Sequence, residues 1–311
     1  MISQTDLLYQ LEPVVEANLN RHLAIAKEWF PHEYIPWSRG TDFDGVLGGT
    51  AWTPDQSTLS DVARTSLIVN LLTEDNLPSY HHEIAALFGR DGAWGTWVHR
   101  WTAEEGRHGV AIRDYLTVTR AVDPIALERA RMVHMTAGFT SDHSMEAMHS
   151  IAYVSFQELA TRISHRNTGR YSGDPLCDQL LAKIAADENL HMVFYRNLLT
   201  AALQIAPNEA MRAITDVVSD FQMPGHGIEN FGRKSVQMAM AGIYDLRIHH
   251  DEVLQPVLRN LRIFEIEGLD GEGEKARQQL ADFLTDLDGY AAKFEERRAT
   301  LQAKAAARAA A

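Results

Sequence analysis

Apolar residues recur at three- and four-residue spacing along most of the chain, and strict alternation of the kind a strand shows is scarce. Turn chemistry falls between these stretches, at Gly89 to Gly92, Asp123-Pro124, Gly173-Asp174-Pro175, Pro207 and Met223-Pro224-Gly225. The pattern predicts helices over 5–28, 59–88, 93–120, 124–137, 142–169, 175–204, 208–221, 227–245, 251–265 and 272–303, with Ser60 and Asp142 as N-caps. Residues 31–58, rich in Pro, Gly and Asp, are the least helical part. The Ala-rich end, 304–311, reads as a frayed tail. No domain-scale linker interrupts the chain, so a single all-α domain over 1–311 is expected.

Two of these helices carry chemistry on their core-facing seams. On one, Trp94, Val98, Trp101, Glu105, His108, Ile112 and Tyr115 follow a four-three alternation. On the other, Cys177, Leu181, Ile184, Glu188, His191, Tyr195 and Leu198 do the same. Such a seam faces the interior of a helical bundle. In the middle of each, where Leu or Ile belongs, stand a carboxylate and an imidazole three residues apart, on one face and one turn apart. A buried unpaired carboxylate costs several kcal/mol. A shared metal ion compensates it directly.

A second pair of carboxylates is placed to match. Glu74 lies 31 residues before Glu105, on the seam Leu67, Leu71, Glu74; Glu158 lies 30 residues before Glu188, on the seam Ile151, Val154, Glu158. The order is Glu, Glu-x-x-His, Glu, Glu-x-x-His. Four helices folded as two such pairs bring six side chains to one pseudo-twofold centre, a ligand set found in di-iron and di-manganese carboxylate bundles. One Glu-x-x-His alone is most simply a surface pair. Two on core seams, each preceded by a seam Glu at about the same interval, point to a dinuclear site. Two imidazoles and four carboxylates suit iron or manganese, whereas zinc prefers fewer ligands and more nitrogen or sulfur. Oxygen activation, radical generation, peroxide disproportionation and iron storage all remain open at this level.

Composition narrows the picture little further. Lys+Arg 29 against Asp+Glu 42 gives a net charge of −13, which disfavours nucleic acid as a partner. The single cysteine, Cys177, excludes an intrachain disulfide and any Cys-based zinc site; on its seam it reads as a small buried hydrophobe. The start, MISQTDLLYQLEPVV, lacks the basic and apolar regions of a signal peptide, and no stretch reaches the roughly 18 apolar residues of a membrane helix. A cytoplasmic protein without a transmembrane segment is expected. His81-His82 and His249-His250 read as surface or capping residues, and His165, seven residues after Glu158, as an unligated residue deeper on the same seam.

At the site residues the chain resembles the soluble acyl-[acyl-carrier-protein] desaturases, their actinobacterial branch most closely. The blocks LTEDNLPSY (72–80), RWTAEEGRHGVAIRDYL (100–116), YVSFQELATRISHRNTGR (153–170) and IAADENLHMVFYRNLL (184–199) look like that family's signatures, in its order. The resemblance implies a ferritin-like four-helix core extended by further helices. It implies two iron ions, with manganese as a possible substitute. By position the ligands are Glu74, Glu105, His108, Glu158, Glu188 and His191, with Glu105 and Glu158 bridging. It further implies that Asp187 hydrogen-bonds His108, that Trp29 lies beyond it on an electron route, and that Thr161 lines the oxygen side of the site. A threonine bonded to its own helix is the plain alternative for Thr161, and core packing for Trp101. Ala86, Leu87 and Tyr153 are the positional candidates for the wall of an acyl tunnel.

The implied activity is oxygen-dependent insertion of a cis double bond into an acyl chain carried on acyl carrier protein. The resemblance also implies a ferredoxin-type protein as donor of two electrons, and a homodimer. The carrier protein is acidic, so a basic docking patch is expected despite the net charge. Gly106 departs from the family's usual Asn, and Leu159 from the Arg of plant members; neither is a ligand position. A ribonucleotide reductase small subunit is the alternative enzyme, with Tyr153 or Tyr195 as its radical residue. A ferritin-like iron-binding protein is the non-catalytic alternative.

Overall fold

The computed structural model describes residues 2–139, 146–225 and 227–309. Twelve helices are named in chain order: α1 Gln4–Ile25, α2 Asp61–Asp75, α3 Leu77–Phe88, α4 Gly92–Val118, α5 Pro124–Ala137, α6 Ala147–Ser172, α7 Pro175–Ile205, α8 Pro207–Ser219, α9 Phe231–Met240, α10 Leu246–Ile248, α11 Gln255–Leu261 and α12 Gly271–Ala309. Among the described residues no strand forms; Phe43 and Thr50 make one isolated bridge. The chain is all-α, with α2, α4, α6 and α7 as the four-helix core and the remaining helices packed around it.

Local chemistry sets the helix ends. Ser60 caps α2 by accepting the N–H of Ala63. Gly173 closes α6 in the left-handed region, and Asp174 then caps α7 ahead of Pro175. This tight turn folds α6 back on α7, the most extensive helix pairing among the described residues. The expected cap Asp142 lies outside the described residues; α6 starts within them at Ala147.

Three expected helices differ in the structure. The stretch 59–88 is two helices, broken at Asn76. Pro78 lacks an N–H and its ring would meet the carbonyl of Glu74, so α2 cannot run on. Asn76 secures the break by donating to the carbonyl of Gly138. The helix expected over 227–245 is shorter, at Phe231–Met240. The one expected over 251–265 starts earlier, at Leu246, passes through a π-helical segment at His249–Leu254 and ends at Leu261, where Arg262 turns left-handed. His249 in that segment is not a surface residue: its ring stacks on Phe221 and bonds the hydroxyl of Tyr244. Helix α12 continues past 303 to Ala309, with residues 301–308 exposed.

Among the described residues the core falls into two large apolar clusters with a polar layer between them, and a third, smaller one of Val69, Leu72, Ile228, Met238 and Ile243. On α4, Trp94 to Trp101 belong to one cluster and Ala111 to Leu116 to the other. On α7, Cys177 to Ile184 belong to the second and Met192 to Leu203 to the first. Glu105 and His108, and Glu188 and His191, occupy the gap in each helix.

Candidate metal centre

All six residues of the two seam motifs are buried, with exposures of 7% for Glu74 and Glu105, 1% for Glu158 and Glu188, and 0% for both imidazoles. They converge as two overlapping groups. Around His108 Nδ1 lie Glu188 Oε1 at 3.2 Å, Glu105 Oε2 at 3.3 Å and Glu74 Oε2 at 3.6 Å. Around His191 Nδ1 lie Glu105 Oε1 at 2.8 Å, Glu158 Oε2 at 3.7 Å and Glu188 Oε2 at 3.9 Å. Each group is close enough to surround one cation. Glu105 and Glu188 belong to both groups; Glu74 and Glu158 belong to one each. The two carboxylates common to both groups are Glu105 and Glu188, where the expectation was Glu105 and Glu158. The reason is geometric: Glu105 and Glu188 each share a helix face with a histidine, while Glu74 and Glu158 approach from the flanks.

The donor set fits metal ions. Glu105 Oε1, Glu158 Oε2, Glu188 Oε1 and the Nδ1 atoms of both histidines are buried without a hydrogen-bond partner. Buried polar atoms are rarely left so. Four carboxylates and two neutral imidazoles sum to −4, which two divalent cations neutralise. Burial, then the charges of Glu105 and Glu158, push the Glu188 carboxyl well above its ordinary range. Burial pushes both imidazoles down, but their carboxylate neighbours outweigh it, chiefly Glu105 for His108 and Glu104 with Glu105 for His191. Both end well above the usual histidine value.

The outward-facing atoms of the site are held from behind. Asp187 Oδ2 is 3.4 Å from His108 Nε2 and accepts the indole N–H of Trp29 at 2.7 Å and Arg107 Nη2 at 3.1 Å. Burial works against this carboxylate, yet the bond to His108 and the neighbouring donors bring it down to about 2. The Trp29 ring is stacked on His108, with 6.4 Å between centroids. Arg107 and Lys183 lie 5.0 and 5.6 Å from its centre. On the other half, Glu104 Oε2 lies 2.9 Å from His191 Nε2 and 2.9 Å from His22 Nε2. These bonds outweigh burial and hold Glu104 well below the ordinary carboxylate range.

The two flanking carboxylates are held as well. Trp101 Nε1 donates to Glu158 Oε1 at 3.0 Å, so it does more than pack the core. His165 Nε2 bonds Glu74 Oε1 at 2.9 Å, while its Nδ1 faces the Asn70 amide at 3.2 Å. That amide's oxygen accepts from Ser164, so its nitrogen donates to Nδ1, and the ring proton sits on Nε2 facing Glu74. Thr161 donates its hydroxyl to the carbonyl of Gln157 at 3.0 Å and accepts from the Gln157 side chain at 2.8 Å. Its proton is committed to its own helix.

A cavity of about 100 Å³ opens onto the four carboxylates. One face of α3 lines it with Leu77, Tyr80, Ile84 and Leu87, opposite Tyr153, Val154 and Gln157 of α6. The break at Asn76 starts this wall directly after Glu74. The exposed Glu146, with Glu83 and His149, lines its polar end. Of the three tunnel candidates, Leu87 and Tyr153 line this cavity; Ala86 is exposed and lies outside the lining. Tyr195 lines the same cavity and its hydroxyl accepts the indole N–H of Trp97.

Sequence reasoning missed Glu104, His22 and the bonding role of His165. One signal was present: Glu104 immediately precedes Glu105 as Asp187 immediately precedes Glu188. Among the described residues, no helix is long and apolar enough to cross a membrane.

Known proteins resemble the chain along most of its length. A family model described as fatty acid desaturase matches residues 3–310. The chain is 55% identical over 301 residues to DesA1 of Mycobacterium tuberculosis, provisionally named an acyl-[acyl-carrier-protein] desaturase, covering 94% of this chain and 89% of that protein. It is 30% identical over 292 residues to the chloroplastic stearoyl-[acyl-carrier-protein] 9-desaturase 6 of Arabidopsis thaliana, covering 88% of this chain and 73% of that one. The X-ray structure of DesA2 of Mycobacterium tuberculosis, whose acyl-ACP desaturase name is likewise provisional, matches with a TM-score of 0.72 at 31% identity, over 89% of this chain and 99% of that chain.

Proposed function

The chain belongs to the fatty acid desaturase family, and we propose that it is an acyl-[acyl-carrier-protein] desaturase working through two iron ions. The observation that carries this reading is the cavity. Its walls are largely apolar, and it opens directly on the four convergent carboxylates, behind which the two imidazoles lie. The relatives named above supply the carrier-bound acyl substrate.

In this reading Glu74, Glu105, His108 and Glu188 would hold one ion, and Glu105, Glu158, Glu188 and His191 the other. Manganese would be accepted by the same donors. Two reduced iron ions supply, with dioxygen, the oxidising power to remove hydrogen from an unactivated methylene, which no protein acid or base can do. The overall balance is one –CH2–CH2– unit, O2, two electrons and two protons giving one cis –CH=CH– unit and two waters. The protein's part is placement. Leu77, Ile84, Leu87 and Val154 hold the acyl chain away from water and against the carboxylate face. Asp187 and Glu104 fix the two imidazoles from behind. Trp29, stacked on His108 and bonded to Asp187, provides the electron route from a ferredoxin-type donor. Thr161 and Gln157 present a bonded polar pair beside the chain.

The test is anaerobic ferrous loading, reduction, and addition of oxygen with acyl carrier proteins bearing chains of varied length. Mass spectrometry should find a product lighter by two hydrogens, with a cis double bond. Iron-loaded, reducible protein that converts none of these substrates would leave the metal centre standing and remove the function.

A further inference from the structure

The half of the site around His191 has its own support, built from groups that are neither on the seams nor in the cavity. His191 turns Nδ1 inward to Glu105, Glu158 and Glu188 and Nε2 outward to Glu104 Oε2, 2.9 Å away. The same oxygen receives His22 Nε2 from α1 at 2.9 Å, and the other oxygen receives Arg100 Nε at 2.6 Å. Glu104 and His22 are 3% and 2% exposed. The His22 ring is stacked on that of His191 at 5.9 Å.

This arrangement repeats the other half of the site around the pseudo-twofold. Asp187 precedes Glu188 on α7 but holds the histidine of α4. Glu104 precedes Glu105 on α4 but holds the histidine of α7. Trp29 bonds and stacks on one side as His22 does on the other, and Lys183, four residues before Asp187, matches Arg100, four residues before Glu104.

We propose that Glu104 and His22 are the positioning pair for His191: Glu104 keeps the imidazole proton on Nε2, and His22 fixes Glu104, so that Nδ1 presents a lone pair to a metal ion. The proposal rests on the dinuclear reading above. A neutral imidazole carries one N–H. With a carboxylate at Nε2 and a cation site at Nδ1, that proton has one place to go. Glu104 is not itself a ligand of the dinuclear centre, because both its oxygens are committed to donors on the outer side.

The chemistry predicts a specific failure. In Glu104→Gln the amide must turn its NH2 toward Arg100, donor against donor, or toward His191. The second is the lower-cost choice. It makes Nε2 an acceptor and moves the ring proton to Nδ1, where it blocks the metal. Asp187→Asn should do the same to His108 alone.

The experiment is an anaerobic Co2+ titration of the full metal-free chain, followed by visible absorption and calorimetry. Wild type should take two ions. Glu104→Gln should bind one ion with wild-type affinity and the other about 10–100-fold more weakly, with the ligand-field bands of one ion altered. His22→Ala should weaken the same ion, and His22→Gln, which still offers an N–H to Glu104, should restore it. Full binding and unchanged spectra in both Glu104→Gln and His22→Ala would overturn the proposal. So would a third ion in wild type that His22→Ala removes, since the triad would then be a metal site of its own. A wild type that takes up no ion would overturn the dinuclear reading itself. If Glu104→Gln does not fold, the His22 pair decides the matter alone.

Discussion

Asp187 Oδ2 lies 3.4 Å from His108 Nε2, although the two residues sit on different core helices. The carboxylate beside one site residue thus anchors the imidazole of the opposite helix. Removing this anchor with Asp187→Ala also leaves the buried Trp29 indole without its acceptor. The expected result is a metal affinity lowered about 10–100-fold and a metal-free fold weakened by about 1–3 kcal/mol. Ferrous-ion titration and urea unfolding of the same preparation measure both.

Protons and metal ions compete for this site. The carboxylates raise the pKa of His108 and His191 against the downward push of burial. Both folded-state values lie above the unfolded value of about 6.5. Their contribution to the metal-free fold is therefore complete below that pH and is lost as pH rises through the folded values. A cation needs the neutral rings, so its binding must expel protons and strengthen as pH rises. Calorimetry in buffers of different ionisation enthalpy should register proton release at neutral pH, and the urea midpoint of metal-free protein should fall on the alkaline side. Binding without proton release would contradict the coupling.

Trp101→Phe removes the indole N–H that Glu158 accepts, together with part of a buried ring whose loss is the same with or without metal. The carboxylate stays buried with one donor fewer, a loss of about 1–3 kcal/mol to the metal-free protein. With ions bound, Glu158 has a new partner and the loss should shrink. Denaturation with and without metal compares the two; an equal loss in both would mean the bond carries no charge-related role.

Leu87 lines the cavity and its neighbour Ala86 does not. Leu87→Trp should fill the space beside the acyl chain and shift turnover to shorter chains, with iron content unchanged. Ala86→Leu, on the exposed face, should leave chain-length preference as it was. Competition between carriers with long and short chains reads both; a shift in Ala86→Leu would mean that the chain runs elsewhere.

The six site residues were legible in sequence because burial imposes a period. A charged side chain at a seam position, flanked by Leu, Ile and Trp, announces itself. The groups behind them are off the seam and answer to no period. His22 reaches the site from α1, and His165 is one buried histidine among several candidates. The pair of shared carboxylates was not legible for a related reason: spacing shows that four carboxylates meet, but helix rotation decides which two belong to both groups. Thr161 was ambiguous because a helical threonine can satisfy itself, and here it bonds Gln157. The break at Asn76 was written in Pro78, yet the apolar pattern ran through it. That break matters to the cavity, since it starts the α3 wall beside Glu74.

The proposed dinuclear centre would be held by Glu105 and Glu188 in common, at the floor of an acyl cavity. The most direct test is anomalous diffraction at the iron edge from crystals of anaerobically ferrous-loaded protein. Two peaks are predicted, one beside Glu74 and His108 and one beside Glu158 and His191, with Glu105 and Glu188 between them. A single peak, two peaks bridged by Glu158, or iron bound only at the surface would contradict the account.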